Sequence, residues 1–314
     1  MRIRRWLLTA VAATTAAIAL GVALHGAAGI RAPGPQVAAD PAATSGRDGT
    51  YRRIVSLSPS ITECLFALGL GRYVVGVTDF CDYPPEALTK SKVGGYYDLN
   101  YEAIVALRPD LVVCLPDHAE HLDDLDRLDL PHLTVDHRRV ETILESLRTL
   151  GRICDATERA QVLVQDIQQR IATVRKRAAG KDRPHVLVCV ERDMRARTID
   201  NVYVAGRGGF YDEMIALAGG VNAYPKPGAF PVVSAEGLQR LRPEIIIDIV
   251  ADLSERGLTE PGVLQQWDSL AEVPAVREQR VFVFTEGFVV IPGPRFVQIL
   301  ERMAAVIHPT GTPR

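Results

Sequence analysis

Hydrophobic positions in this chain gather into short unbroken runs separated by amphipathic stretches, the alternation expected of buried parallel strands and the helices that cover them. Runs at Arg53–Ser58, Val74–Val77, Leu111–Cys114, Leu133–Val135, His185–Val190 and Val281–Phe284 predict strands. Helical spacing predicts helices over Glu63–Leu68, Thr142–Ile153 and Arg295–Ile307. The longest helix is expected from Asp155 to Ala179. Asp155 with Glu158 forms a capping-box pattern, and Ala160, Val164, Ile167, Ile171, Val174 and Ala178 draw one apolar stripe. At ~1.5 Å per residue this helix is about 36 Å long, and no Gly or Pro interrupts it.

One segment occurs twice. NYEAIVALRPDLVVC (Asn100 to Cys114) returns as VSAEGLQRLRPEIII (Val233 to Ile247), with Glu102, Leu107, Arg108 and Pro109 opposite Glu236, Leu241, Arg242 and Pro243. Each copy reads as a capped short helix, an Arg-Pro stop and a buried strand. A second echo sets TECLFALG (Thr62 to Gly69) against DEMIALAG (Asp212 to Gly219), at a different offset, so an insertion separates the two echoes. The pattern predicts an α/β protein of two similar lobes with parallel sheets, joined by the single long helix. The expected boundaries are 51–139 for the first lobe, 140–182 for connecting helices and 183–314 for the second lobe.

Composition changes this picture mainly at the N-terminus. Three arginines precede an apolar, alanine-rich run from Trp6 to Leu24, followed by Gly26, Ala27 and Ala28, so 1–28 reads as an export signal. An uncleaved anchor is the alternative. Residues 29–50, rich in Ala, Pro, Gly and Asp, read as a tether. Export would make the protein periplasmic or extracytoplasmic. The formal charge of −2 includes those arginines, and no basic footprint for nucleic acid is present. Cys64, Cys81, Cys114, Cys154 and Cys189 lack zinc spacing. Burial as free thiols is expected, with a Cys81–Cys114 disulfide as the alternative.

Candidate chemistry sits in the loops. TDFCDYPP (Thr78 to Pro85) follows a strand at the edge where such sheets bind ligands, which draws attention to Phe80 and Tyr83. VGGYYDL (Val93 to Leu99), Tyr224–Phe230 and Thr285–Pro294 are further aromatic loops. Arg192, Arg195, Arg197 and Arg207 offer a cationic set for an anionic ligand. His118 and His121 read as surface histidines, a metal contact being the alternative. Arg295 is expected to fix the last helix.

SLSPSITECLFALG, GVTDFCDYPPEA, NYEAIVALRPDLVV, NVYVAGRGGFYDEMIALAGG, FPVVSAEGLQRLRPEIIID and IPGPRF together resemble the periplasmic binding proteins of ABC importers for cobalamin and iron chelates, closest to the cobalamin branch. The resemblance spans Arg53 to His308. It implies two Rossmann-like lobes, a single backbone helix, a ligand held in the cleft between the lobes, and a monomer that delivers the ligand to a membrane permease dimer. It also implies that Glu102 and Glu236 dock into permease arginines. By residue type alone they are first-turn helix glutamates favoured by the dipole. By position Phe80, Tyr83, Tyr96, Leu115, Arg192, Phe230 and Phe288 become the ligand contacts. Tyr96, Leu115 and Phe230 replace tryptophans of the family pattern, and the late loop carries Glu286 and Phe288 where other polar residues are expected. The transported ligand would be a corrinoid such as cobalamin, with ferric siderophore or haem as the alternative; no resident cofactor or metal is expected.

An enzyme on a doubly wound scaffold is the competing class. GLGRYVVG fails the dinucleotide spacing, there is no Walker pattern, and no catalytic triad stands out. An adhesion or signalling module is the other.

Overall fold

The computed structural model describes residues 51–309. The expected export signal and tether lie outside the described residues. Among the described residues no helix is long and apolar enough to cross a membrane. The chain divides into two compact units: 51–65, 69–134 and 152–156 form the first, and 66–68, 135–151 and 157–309 the second.

The first unit is built on five parallel strands, β1 (Ile54–Ser56), β2 (Val74–Val77), β3 (Ser91–Lys92), β4 (Leu111–Cys114) and β5 (His132–Thr134), in the order β3-β2-β1-β4-β5. Every residue of β1 and β4 is buried, as a sheet covered on both faces requires. Helix α1 (Pro59–Ala67) follows β1, α2 (Tyr101–Ala106) precedes β4, and α3 (Ala119–Arg127) precedes β5. The core joins Val55, Leu57, Val93, Ile104, Val112 and Leu125.

In the second unit, α4 (Val140–Ile153) and α5 (Thr157–Ala178) precede β6 (His185–Arg192), β7 (Asn201–Val204), α6 (Phe210–Leu217), β8 (Val221–Asn222), β9 (Val232–Ser234), α7 (Ala235–Leu241), β10 (Ile245–Ile249), α8 (Glu260–Trp267), α9 (Pro274–Arg277), β11 (Val281–Phe284) and α10 (Phe296–Ile307). Strands β8, β6, β10 and β11 lie side by side and parallel, reproducing β2, β1, β4 and β5 of the first sheet. Strands β7 and β9 extend the sheet antiparallel. They are missing from the sequence reading, which expected parallel sheets in both lobes. Strand β7 enters between β6 and α6, where the first unit has only the short turn from β1 to α1, and so precedes both echoes; their unequal offsets come from the longer stretch between Gly69 and Asn100, which holds β2 and β3, than between Gly219 and Val233.

The repeat is reproduced bond for bond. Asn100 and Ser234 cap α2 and α7, accepting from Ala103 N and Gly237 N at 2.9 and 3.2 Å. Arg108 and Arg242 both take left-handed φ, +46° and +48°, just before their prolines. The next residue is a carboxylate in each copy. Asp110 accepts from the Arg52 and Arg53 amides at 2.7 and 2.8 Å, and Glu244 from the His185 amide at 2.7 Å, fixing the first strand of each sheet to its neighbour. The second echo is equally literal. Gly69 and Gly219 close α1 and α6 at φ +71° and +87°, with Leu70 N to Leu65 O and Gly220 N to Ile215 O both at 2.9 Å.

Helix α5 starts at Thr157, later than the expected Asp155, because Asp155 adopts φ +55° and turns the chain out of α4 instead of capping α5. The expected stripe is buried from Ala160 to Val174. Arg170 on α5 clasps Glu301 on α10 through two 2.8 Å bonds, which pull the Glu301 carboxyl below its usual range.

Candidate functional site

In the first unit the loops leaving β2 and β3 adjoin. Asp79 N donates to Gly94 O at 2.9 Å, and a Cβ on Gly95 would stand 3.8 Å from Phe80 Cε2, so the Phe80 ring lies over the glycine pair. Beside them Tyr96 meets Tyr97 edge-on at 4.8 Å and lies 4.6 Å from the His118 ring, while its hydroxyl donates to Asp117 at 3.2 Å. Burial, with Asp117 nearby, holds the Tyr96 phenol above its ordinary range. Tyr83 is 43% exposed. Phe80 and Tyr96 thus share one loop cluster at the carboxyl edge of the sheet, and Tyr83 lies further along the loop that carries Phe80. Leu115 does not join them: it is 7% exposed, and its amide donates to His118 Nδ1 at 3.0 Å, closing a turn whose apolar side faces inward.

The two histidines are not surface residues. His118 is fully buried, and His121 bonds the Tyr101 hydroxyl at 2.7 Å. Burial, with His121 adding to it, pushes the His118 pKa down to about 4. Because Nδ1 accepts from a backbone amide, the proton of neutral His118 sits on Nε2, which blocks metal ligation there. Among the described residues no group of three or more His, Cys, Asp or Glu could hold a metal ion.

In the second unit Tyr211 is the hub that the sequence reading missed. Its ring lies 6.5 Å from Phe230 and 5.2 Å from Phe210, and its hydroxyl donates to Val289 O at 2.6 Å, beside Phe288. The Arg295 guanidinium stands 5.0 Å over the Phe288 ring, at the N-cap position of α10. Phe210, Tyr211 and Phe230 therefore form one aromatic wall, and Phe288 precedes the residue whose carbonyl Tyr211 bonds. Glu286 is paired with Arg302.

Arg192 is placed otherwise than expected of a ligand contact. Its side chain is 2% exposed, its Nε and Nη2 donate to Asp248 Oδ2 at 3.1 and 2.9 Å, and Nη1 donates to Gln266 Oε1. Trp267 Nε1 donates to the same carboxylate oxygen at 2.8 Å. The guanidinium is consumed inside the core. Arg195, Arg197 and Arg207 remain exposed.

Glu102 and Glu236 occupy the second position of α2 and α7. Glu102 is exposed and borders a hollow of about 470 Å³ with Asp79, Asp98 and Tyr101. Glu236 is exposed too, but Arg240 lies 3.2 Å away, one helical turn on. All five cysteines are free and buried, so no Cys81–Cys114 bond forms.

Each of the two α/β units thus carries aromatic residues in loops that leave the carboxyl ends of parallel strands. A profile of the periplasmic binding protein family matches residues 54–286, and the chain belongs to that family. It is 29% identical over 270 residues to the uncharacterized ABC transporter substrate-binding lipoprotein YvrC of Bacillus subtilis, covering 82% of this chain and 80% of the relative. It is 30% identical over 227 residues to the vitamin B12-binding protein of Salmonella typhimurium, covering 71% of this chain and 80% of that one. Among solved structures, the periplasmic heme-binding protein RhuT of Roseiflexus sp. RS-1 matches with a TM-score of 0.69 and 29% identity, over 82% of this chain and 98% of RhuT. The family is a class of extracytoplasmic solute-binding components of ABC transporters, which hand their ligand to a membrane permease.

Proposed function

We propose that this protein captures a corrinoid on the aromatic loops of its two units and delivers it to its permease, docking through Glu102 and Glu236, with no chemistry of its own. The observation that carries the ligand reading is the pairing of aromatic clusters with a withdrawn cation. Phe80, Tyr83 and Tyr96 on one unit and Phe230, Tyr211 and Phe288 on the other suit a large ligand with flat apolar faces. Arg192, the arginine at the end of β6, is sealed against Asp248, which leaves an anionic chelate fewer charges to meet. Haem is the second reading, favoured by the likeness to RhuT and by phenols at Tyr96 and Tyr97.

The test is titration of the purified protein with cyanocobalamin, cobinamide, haemin and a ferric siderophore, followed by calorimetry and absorption. Binding of both corrinoids with no shift of the haemin Soret band is the expected result. Haemin binding alone would replace the corrinoid by haem, and binding of none would overturn the ligand class. For docking, charge reversal at Glu102 or Glu236 is expected to lower stimulation of the permease ATPase in reconstituted vesicles while ligand affinity stays unchanged.

A further inference from the structure

The loop that presents Phe80 has an unusual support. Four consecutive side chains divide by direction: Thr78 and Cys81 are fully buried, whereas Asp79 is exposed and Phe80 half-buried. The buried pair is tied together and to the helix behind it. Cys81 Sγ lies 3.1 Å from Thr78 Oγ1 and 3.2 Å from Thr62 Oγ1 on α1, and Thr62 Oγ1 lies 2.8 Å from Ser56 Oγ at the end of β1. Burial raises the Cys81 pKa, so the sulfur stays a neutral thiol able to donate as well as accept.

The backbone of the same turn is held from the other side by a charge. Cys81 N donates to Thr78 O at 3.1 Å, closing the turn, and Lys92 Nζ donates to both Thr78 O and Cys81 O at 3.1 Å. Lys92 sits on the edge strand β3, directly opposite Val77 in the register, so its stem runs beside the strand from which the loop departs. An ammonium can serve two carbonyls at once, and a charge-assisted bond is stronger than a neutral one. The carbonyls of Thr78 and Cys81 bracket Asp79 and Phe80. A single cation thereby fixes both ends of the segment that carries the ring.

We propose that Lys92 is a positioning residue that latches the Thr78–Cys81 turn and sets the orientation of Phe80 toward the ligand. This rests on the reading of that loop as part of the ligand surface. It assigns Lys92 no contact with the ligand itself. An aromatic platform works only when its ring is already in place, because ordering a loop at the moment of binding subtracts from affinity. The latch supplies that order beforehand.

The experiment compares the wild-type protein with Lys92→Met, Lys92→Arg, Cys81→Ala and Phe80→Ala, probed with cyanocobalamin and with haemin. For whichever probe the wild-type protein binds, Lys92→Met is expected to weaken affinity about tenfold, and Lys92→Arg, which keeps the charge and donors, to stay within about twofold of wild type. The melting temperature of Lys92→Met should move by no more than about 2 °C, since Lys92 is itself exposed and its two bonds are only part-buried. Hydrogen exchange of the peptide spanning 78–83, measured without ligand, should speed up about tenfold in Lys92→Met and in Cys81→Ala, and not in Lys92→Arg. If Phe80→Ala leaves affinity intact, the ligand reading of the loop fails. If Phe80→Ala weakens binding while Lys92→Met does not, the latch is refuted. Unchanged exchange in Lys92→Met refutes it even where neither probe binds.

Discussion

Replacing Arg192 by Met separates a core ion pair from a ligand contact. The side chains of Arg192 and Asp248 are 2% and 1% exposed, and one carboxylate oxygen receives Nε, Nη2 and the Trp267 indole at 3.1, 2.9 and 2.8 Å. Met keeps much of the stem volume but removes the charge, leaving a buried carboxylate with one indole donor. Breaking a buried pair from one side costs about 3–5 kcal/mol, about a fifth or more of the ~5–15 kcal/mol that holds a typical domain together. Removing both charges in Arg192→Met/Asp248→Leu should recover most of that loss, since the penalty belongs to the orphaned charge and not to the missing attraction. Urea unfolding followed by the fluorescence of Trp267, whose ring lies 5.4 Å from the guanidinium, reads both variants. A loss below about 1 kcal/mol in the single variant, or a double variant no better than the single, would refute the core role. Ligand affinity measured on the folded fraction should hold within about twofold; a larger drop would return Arg192 to the ligand surface.

Three further outcomes are expected. Burial lowers the pKa of both His118 and His137 to about 4, below the 6.5 of an unfolded histidine, so the unfolded chain binds more protons and stability falls as pH drops from about 6.5 to 4. With two groups the slope approaches about 2.7 kcal/mol per pH unit, and His118→Asn should roughly halve it in urea titrations at pH 6.5, 5.5 and 4.5. Gly206→Ala would place a Cβ 1.9 Å from Gly228 O, so the loop leading to Phe230 must move; the variant should lose at least ~1–3 kcal/mol in thermal unfolding and bind ligand more weakly. Burial raises all five thiols, Cys114 to about 11 and Cys154 to about 12, so an aromatic disulfide reagent should titrate none of the five in native protein and all of them in denaturant.

Local signals carried much of the fold. Continuous apolar runs located the parallel strands, and the Arg-Pro stops at Arg108 and Arg242 located the repeat, because cap, stop and strand are all fixed within fifteen residues. What escaped were features whose partners lie far along the chain. Arg192 ends an apolar strand and finds Asp248, 56 residues away. The hydroxyl of Tyr211 reaches Val289, 78 residues away, so the hub of the aromatic wall carried no nearby mark. His118 looked solvated within a polar segment, yet its bond to the Leu115 amide folds it inward. Strand β7 was closer to legible, since Val202 and Val204 are buried while Tyr203 between them is only partly so, the alternation of a strand next to the sheet margin.

The repeat also bears on docking. Of its four identities, three are accounted for by the fold. Leu107 and Leu241 pack against the two cores, Arg108 and Arg242 take the left-handed turn that ends each helix, and Pro109 and Pro243 prevent the helix from continuing. Glu102 and Glu236 do none of this. Both are exposed, and in each copy the cap is already supplied by Asn100 or Ser234. The dipole would favour any acid at that position by only about 0.3–1 kcal/mol. Their surroundings differ as well, Glu236 being held by Arg240 while Glu102 has no ion-pair partner among the described residues. A shared residue that neither core nor cap requires, in two different local settings, is what the docking proposed above would ask of both copies, since a two-fold partner would meet each of them.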